Sequence, residues 1–266
     1  MNTTDTKTIE PAKKNSKKAK RMDLAAYRHA VPFVLWLGIV LLANMMHLTE
    51  GSETEDIKSL NIVSLPVLYA IRTAICVVAL LICRPWRYYG PLNPKNILPA
   101  IGLGLGVFVI WIGLETEFVK AICPQLANLY ETWCVKPFGS LREPLESTPY
   151  APSVCGVFMT SIRFIGSAFV ISIIEEFFWR GYLLRTARTP DFLDIDIGAL
   201  HWPSFIIVAA IFAIEHNEVL AGFICGIVYA LFYIKTRDIW AASIAHITTN
   251  AVLGIYVLAT GKYIFW

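Results

Sequence analysis

Apolar runs separated by short polar stretches dominate the chain. The runs cover Val31–Met46, Ile62–Cys83, Ile97–Leu114, Val154–Trp179, Pro203–Glu215, Val219–Ile234 and Ile239–Leu258. Uninterrupted apolar stretches approaching 20 residues predict helices that cross a bilayer, because a helix satisfies its own backbone hydrogen bonds in a medium without water. The pattern predicts an all-α, polytopic membrane protein with about seven to eight transmembrane or re-entrant helices. The fifth run is the exception. At roughly 20 Å as a helix it is too short to span comfortably. Either it is a thin or tilted span with His216 near the outer surface, or it enters from the inside and turns at His216-Asn217-Glu218 at depth. The second reading is preferred, because it brings His216 nearer to Glu175 and His246.

Composition agrees: 56% of residues are hydrophobic and 16% charged, where soluble domains carry roughly a quarter charged. The net charge of +3 is small, and positive residues collect in the N-terminus and connections, which sets orientation in a membrane and gives no footprint for nucleic acid. Residues 1–28, with Lys13, Lys14, Lys17, Lys18, Lys20 and Arg21, read as a disordered cytoplasmic tail. No small-residue cleavage site follows the first apolar run, so it is taken as an uncleaved span rather than a signal peptide. Acidic Thr49–Leu60 then falls outside, and the connection with Arg84, Arg87 and Lys95 inside. Residues 115–152 form an outside segment with interfacial helix anchored by Tyr130 and Trp133. Six cysteines show no CxxC pairing. Cys123 and Cys134 are candidates for a disulfide if their segment is extracytoplasmic. The chain divides into the tail at 1–28, N-terminal spans and loop at 29–152, and a C-terminal membrane core at 153–266.

Three apolar runs carry polar groups at helical spacing. Glu175 and Glu176 are adjacent and point about 100° apart. Glu176 and Arg180 are four apart and can pair on one face, which leaves Glu175 free to face a pocket. Phe212 and His216 are four apart, as are His246 and Asn250. Ionisable groups in membrane segments are costly and mark functional sites by default, although a single membrane histidine or asparagine is often glue between helices. Together, a carboxylate, two imidazoles and an amide can activate water and donate hydrogen bonds to a developing oxyanion. Arg163, in mid-span, reads as the buried partner of a carboxylate. Gly102, Gly104 and Gly106 allow close helix approach; lacking a preceding strand, they do not form a dinucleotide fingerprint. No HExxH zinc motif and no GxSxG nucleophile elbow is present.

The ordered set EExxxR, FxxxH and HxxxN, with Arg180–Leu184 and Thr236–Trp240 beside it, resembles the CAAX prenyl endopeptidase type II family over roughly 154–255. The stretch Leu253–Trp266 also resembles a bacterial branch linked to exosortase sorting. The resemblance implies a membrane endopeptidase of the inner (plasma) membrane, multi-pass with its N-terminus cytoplasmic, its catalytic cavity within the bilayer. It implies that Glu175 and His216 activate water, that His246 and Asn250 hold the oxyanion, and that Glu176, Arg180 and Phe212 shape the site. The substrate would be a membrane-associated protein or peptide, processed at a CAAX-like C-terminus or in exosortase-linked sorting. A glutamate-dependent mechanism and a divalent metal such as zinc on Glu175, His216 and His246 both remain open. The rival readings are a non-catalytic scaffold or immunity protein that binds a peptide, and a proton-coupled transporter; no internal repeat of the transporter kind is visible.

Overall fold

The computed structural model describes residues 9–45, 65–143 and 145–266. The acidic loop Thr49–Leu60 lies outside the described residues. The long helices are α1 (Ile9–Met45), α2 (Leu65–Cys83), α3 (Ile97–Gly113), α6 (Pro152–Thr186), α8 (Val219–Thr236) and α9 (Ile239–Thr260), with α7 (Trp202–Glu215) shorter. Two small helices, α4 (Glu117–Ile122) and α5 (Pro124–Trp133), lie between α3 and α6. Among the described residues, six helices are long and apolar enough to cross a membrane. The protein is an all-helical, multi-pass membrane protein.

Helix α1 corrects the expectation of a disordered tail over 1–28: residues 9–28 are helical and continuous with the first span. The reason lies in one face of that helix. Met22, Ala25, His29 and Phe33, spaced three or four apart, are all buried. His29 accepts or donates to Tyr89 Oη at 2.9 Å and is ringed by Tyr88, Phe177 and Phe192. Phe33 stacks on Phe178 with ring centres 4.1 Å apart. Tertiary packing thus seats this helix from Met22 onward, in a segment that looks polar when read linearly.

Helix α9 is the centre of the bundle and packs against α3 and α6. Its N-terminus is tied down by Asp238. One oxygen accepts from the Trp240 and Ala241 backbone N–H groups, and the other from Asn93 N–H and Asn96 Nδ2. The carboxylate therefore caps α9 and fastens the α2–α3 connection to it. Of the three glycines expected to allow close approach, only Gly104 does so against another helix. A Cβ there would lie 2.4 Å from the Ala245 carbonyl oxygen and 2.6 Å from Thr248 Cβ, whereas one at Gly102 or Gly106 would meet open space. Thr249 Oγ1 donates to the Gly104 carbonyl at 2.8 Å across this contact.

Helices α7 and α8 form an antiparallel pair. Gly226 faces Ala209 and Gly222 faces Ala213, each at a distance where a Cβ would crowd backbone. Their turn, preferred at mid-depth from the sequence, packs against the segment that follows α3. It reaches the level of the C-terminal end of α3: Lys136 N–H donates to the Asn217 carbonyl, Leu220 N–H to the Cys134 carbonyl, and Arg142 joins Glu218 to Glu115, just beyond α3. The segment between α3 and α6 thus roofs the turn, and its polar contacts satisfy backbone that the turn leaves unpaired. Cys123 and Cys134 are both free. They flank α5, whose length of about 15 Å holds them beyond disulfide reach.

The close α3–α9 contact is testable. Gly104→Ala should destabilise the protein by about 1–3 kcal/mol, because backbone and a β-branched threonine cannot yield easily. Gly102→Ala should be near neutral. Thermal unfolding in detergent of the two variants checks this; equal melting temperatures would contradict the packing described.

Candidate active site

The site is built on α6, α7 and α9. Two widened, π-helical turns, Gly166–Val170 and Phe177–Leu183, flank the segment Ile171–Glu176. Such turns shift the side-chain register and free carbonyls, and they recur at functional sites. Here the first leaves the Ser167 carbonyl to accept from Asn250 Nδ2 at 3.0 Å.

Glu176 is fully buried, and its Oε1 is shared. It accepts from an Arg180 amino group at 2.9 Å and faces His246 Nδ1 at 2.9 Å. The pairing of Glu176 with Arg180 follows the spacing read from the sequence; the histidine on the same oxygen comes from a different helix. Arg180 also lies over the Phe212 ring at 4.5 Å, and Phe212 stands edge-on to Trp179. Phe212 thus holds the guanidinium in place.

Because Glu176 takes Nδ1, His246 presents Nε2 toward Glu175 Oε2, 3.9 Å away. The ring stacks on Tyr229, whose hydroxyl is fixed by Thr249 at 2.6 Å. His216 closes α7. Its Nδ1 lies 2.8 Å from the Phe212 carbonyl, an acceptor only, so Nδ1 carries the proton and Nε2 offers a lone pair. Trp111 stands edge-on against the ring at 5.3 Å. Glu175, His216, His246 and Asn250 line one cavity of about 400 Å³, together with Glu215. Glu175 Oε2 is buried without a hydrogen-bond partner among the described residues.

The sequence-predicted residues therefore converge, with three differences. Both amide hydrogens of Asn250 are engaged, by the Ser167 carbonyl and by Ser172 Oγ at 3.1 Å, so Asn250 braces α9 against α6 in this state. Arg163 has no carboxylate partner among the described residues, contrary to expectation; it lies over Tyr69 and Tyr150. No group of three or more His, Cys, Asp or Glu side chains is placed to hold a metal ion among the described residues. With His246 Nδ1 on Glu176 and His216 Nδ1 on a carbonyl, each ring keeps Nε2 for the cavity, the orientation that suits water and that a metal-ligating histidine would also adopt.

Several site residues were missed from sequence. Glu215 closes an apolar run directly before His216, and that position was signal enough. Thr249, three residues after His246, was equally readable. Tyr229 and Ser172 carry no local signal, because only packing turns them to the site.

Residues 157–252 match the family described as Type II CAAX prenyl endopeptidase Rce1-like. The match contains all seven residues of the three motifs, so this region of the chain is similar to that family. Neither the curated proteins nor the solved structures contain a match to the chain.

Outside the membrane-spanning helices, a clasp holds the turn that carries His216. Arg142 donates to Glu218 at 2.7 Å and to Glu115 at 2.5 Å, all three nearly buried. Burial pushes the Glu115 carboxyl up to about 7, against the opposing pull of Arg142 and with help from nearby Glu218 and Glu131.

Two outcomes follow from this geometry. Arg180→Ala leaves the buried Glu176 charge without its cation and should cost about 3–5 kcal/mol of stability; an unchanged melting temperature would show that the pair does not hold the site. For the clasp, the folded state keeps the Glu115 proton up to about pH 7, above the ordinary carboxyl value of 4.5. That contribution is full below pH 4.5 and is lost as pH rises through 7. Melting temperature should fall across this window in wild type, and the fall should be smaller in Glu115→Gln.

Proposed function

We propose that this protein is a membrane-embedded endopeptidase that hydrolyses a peptide bond of a membrane-associated protein or peptide within the α6–α7–α9 cavity. One observation carries the reading. Of two adjacent buried glutamates, Glu176 is consumed by Arg180 and His246, while Glu175 faces a cavity shared with two histidines.

Glu175 and the His216 Nε2 lone pair hold and polarise a water molecule. The water oxygen forms a bond to the carbonyl carbon, its proton passes to the Glu175 carboxylate, and the carbonyl electron pair moves onto oxygen. The oxyanion is met by His246 Nε2–H in the imidazolium form, which the Glu176 carboxylate on Nδ1 stabilises. Asn250 adds a donor by releasing Ser172 Oγ. On collapse, Glu175 gives its proton to the leaving nitrogen as the carbon–nitrogen bond breaks. The low-dielectric surroundings strengthen each of these charge interactions.

Glu175→Gln should keep the fold and lower turnover by about 100- to 10,000-fold. The measurement compares protein N- and C-termini in membranes of cells that express wild type or Glu175→Gln at equal levels. Termini present only with wild type support hydrolysis, and their chemistry tells whether the substrate is prenylated or a sorted protein. Identical termini in folded, expressed protein would instead favour a peptide-binding scaffold. Cleavage of a substrate found in this way should survive chelation by 1,10-phenanthroline, and its loss would reopen the metal route.

A further inference from the structure

The catalytic cavity has a second polar wall that the hydrolytic mechanism does not use. Arg72 of α2 and Arg163 of α6 both line it. Their guanidinium groups flank one ring, that of Tyr69, at 4.7 and 4.6 Å from its centre. Arg72 also lies 3.9 Å over Trp36, and Arg163 lies 5.0 Å over Tyr150. Tyr69 donates to the Arg163 carbonyl at 3.4 Å. A Cβ on Gly166 would strike the Tyr69 hydroxyl at 2.6 Å, so α2 and α6 are pressed together where the two cations meet. The aromatic faces thus fix both side chains.

Among the described residues, neither arginine forms an ion pair, and the Nε atoms of both are buried without a hydrogen-bond partner. Glu176 is paired with Arg180 and Glu175 lies 3.9 Å from His246, and neither they nor Glu215, which also lines the cavity, pairs with Arg72 or Arg163 among the described residues. Two like charges on one ring in an apolar bundle repel each other, and such a pair is stabilised by an anion that accepts from both. Guanidinium forks match the geometry of a carboxylate. The aromatic supports hold the cations without neutralising them. Arg163 lies within the family match and Arg72 outside it.

We propose that Arg72 and Arg163 form a carboxylate subsite for the peptide substrate and so select which bond lies against Glu175. This rests on the endopeptidase reading above, and it adds a specificity determinant to it. The carboxylate can come from an acidic side chain or from the end of the substrate chain. Because the arginines share one cavity of about 400 Å³ with Glu175 and His216, only a few residues separate the anion from the cut bond.

The test uses the full chain in nanodiscs of zwitterionic phosphatidylcholine and a proteome-derived peptide library, used with free C-termini and again after C-terminal amidation. Wild type, Arg72→Gln, Arg163→Gln and Arg163→Lys are compared for cleavage. Glu175→Gln, with and without Arg163→Gln, is compared for peptide retention. The expected result is a carboxylate at a fixed spacing from the cut, with kcat/KM for such peptides down about 10- to 100-fold in either Gln variant. Arg163→Lys should recover part of the loss, and peptides without the carboxylate should be affected little. Loss of cleavage on amidation assigns the chain end; persistence with an enriched Asp or Glu assigns a side chain. Cleavage with no positional preference for a carboxylate, or a preference unchanged in both Gln variants, overturns the subsite. If wild type cleaves nothing, the hydrolytic reading fails. Retention by Glu175→Gln then judges the subsite alone: enrichment of carboxylate peptides that Arg163→Gln removes upholds it, and no enrichment overturns it.

Discussion

A single carboxylate oxygen organises the C-terminal half of this protein. Glu176 Oε1 is shared by Arg180, on the same helix, and His246, on α9. A charge buried this deeply is tolerated only when hydrogen-bonded and paired. The requirement fixes three things together: the rotation of α6, the depth of α9 beside it, and the ring orientation of His246. Glu175 then faces the cavity because its neighbour must face the other way.

The rest of the bundle serves that constraint. Small residues bring backbones close where polar groups must meet: Gly104 lets α3 touch α9 beside Thr249, and Gly222 and Gly226 let α7 lie on α8. Asp238 holds the start of α9 and the α2–α3 connection. On the opposite face, Arg142 between Glu115 and Glu218 secures the turn that ends in His216. The histidine sits at a helix end, with extended backbone, held to α7 by its Nδ1 on the Phe212 carbonyl and its N–H on the Ala213 carbonyl, while the clasp holds Glu218 two residues on. The Glu176 network positions Glu175 and His246, and α7 together with the clasp positions His216.

The cavity has two chemically distinct walls. One holds Glu175, His216 and His246; the other holds Arg72 and Arg163 on aromatic supports. An apolar bundle could have been built without either set, and each makes it less stable than an apolar equivalent. Two costly polar walls facing one space fit an occupant that is itself polar at two points.

Much was legible in the sequence. The apolar runs fixed the all-helical membrane architecture, since backbone in lipid must satisfy itself. Four-residue spacing gave the Glu176–Arg180 pair and the Phe212–His216 face, because both depend on one helix alone. Contacts between helices were not legible. Nothing local announces that His246 will share the oxygen of Glu176, that Asn250 will spend its amide on Ser167 and Ser172, or that Arg163 will share the Tyr69 ring with Arg72 rather than pair with a carboxylate. The buried face of residues 22–33 was hidden for the same reason: its partners, Tyr88, Tyr89, Phe178 and Phe192, lie far along the chain. Periodicity reports which face of a helix a residue occupies. What that face meets is set by the register between helices, and only the folded bundle decides it.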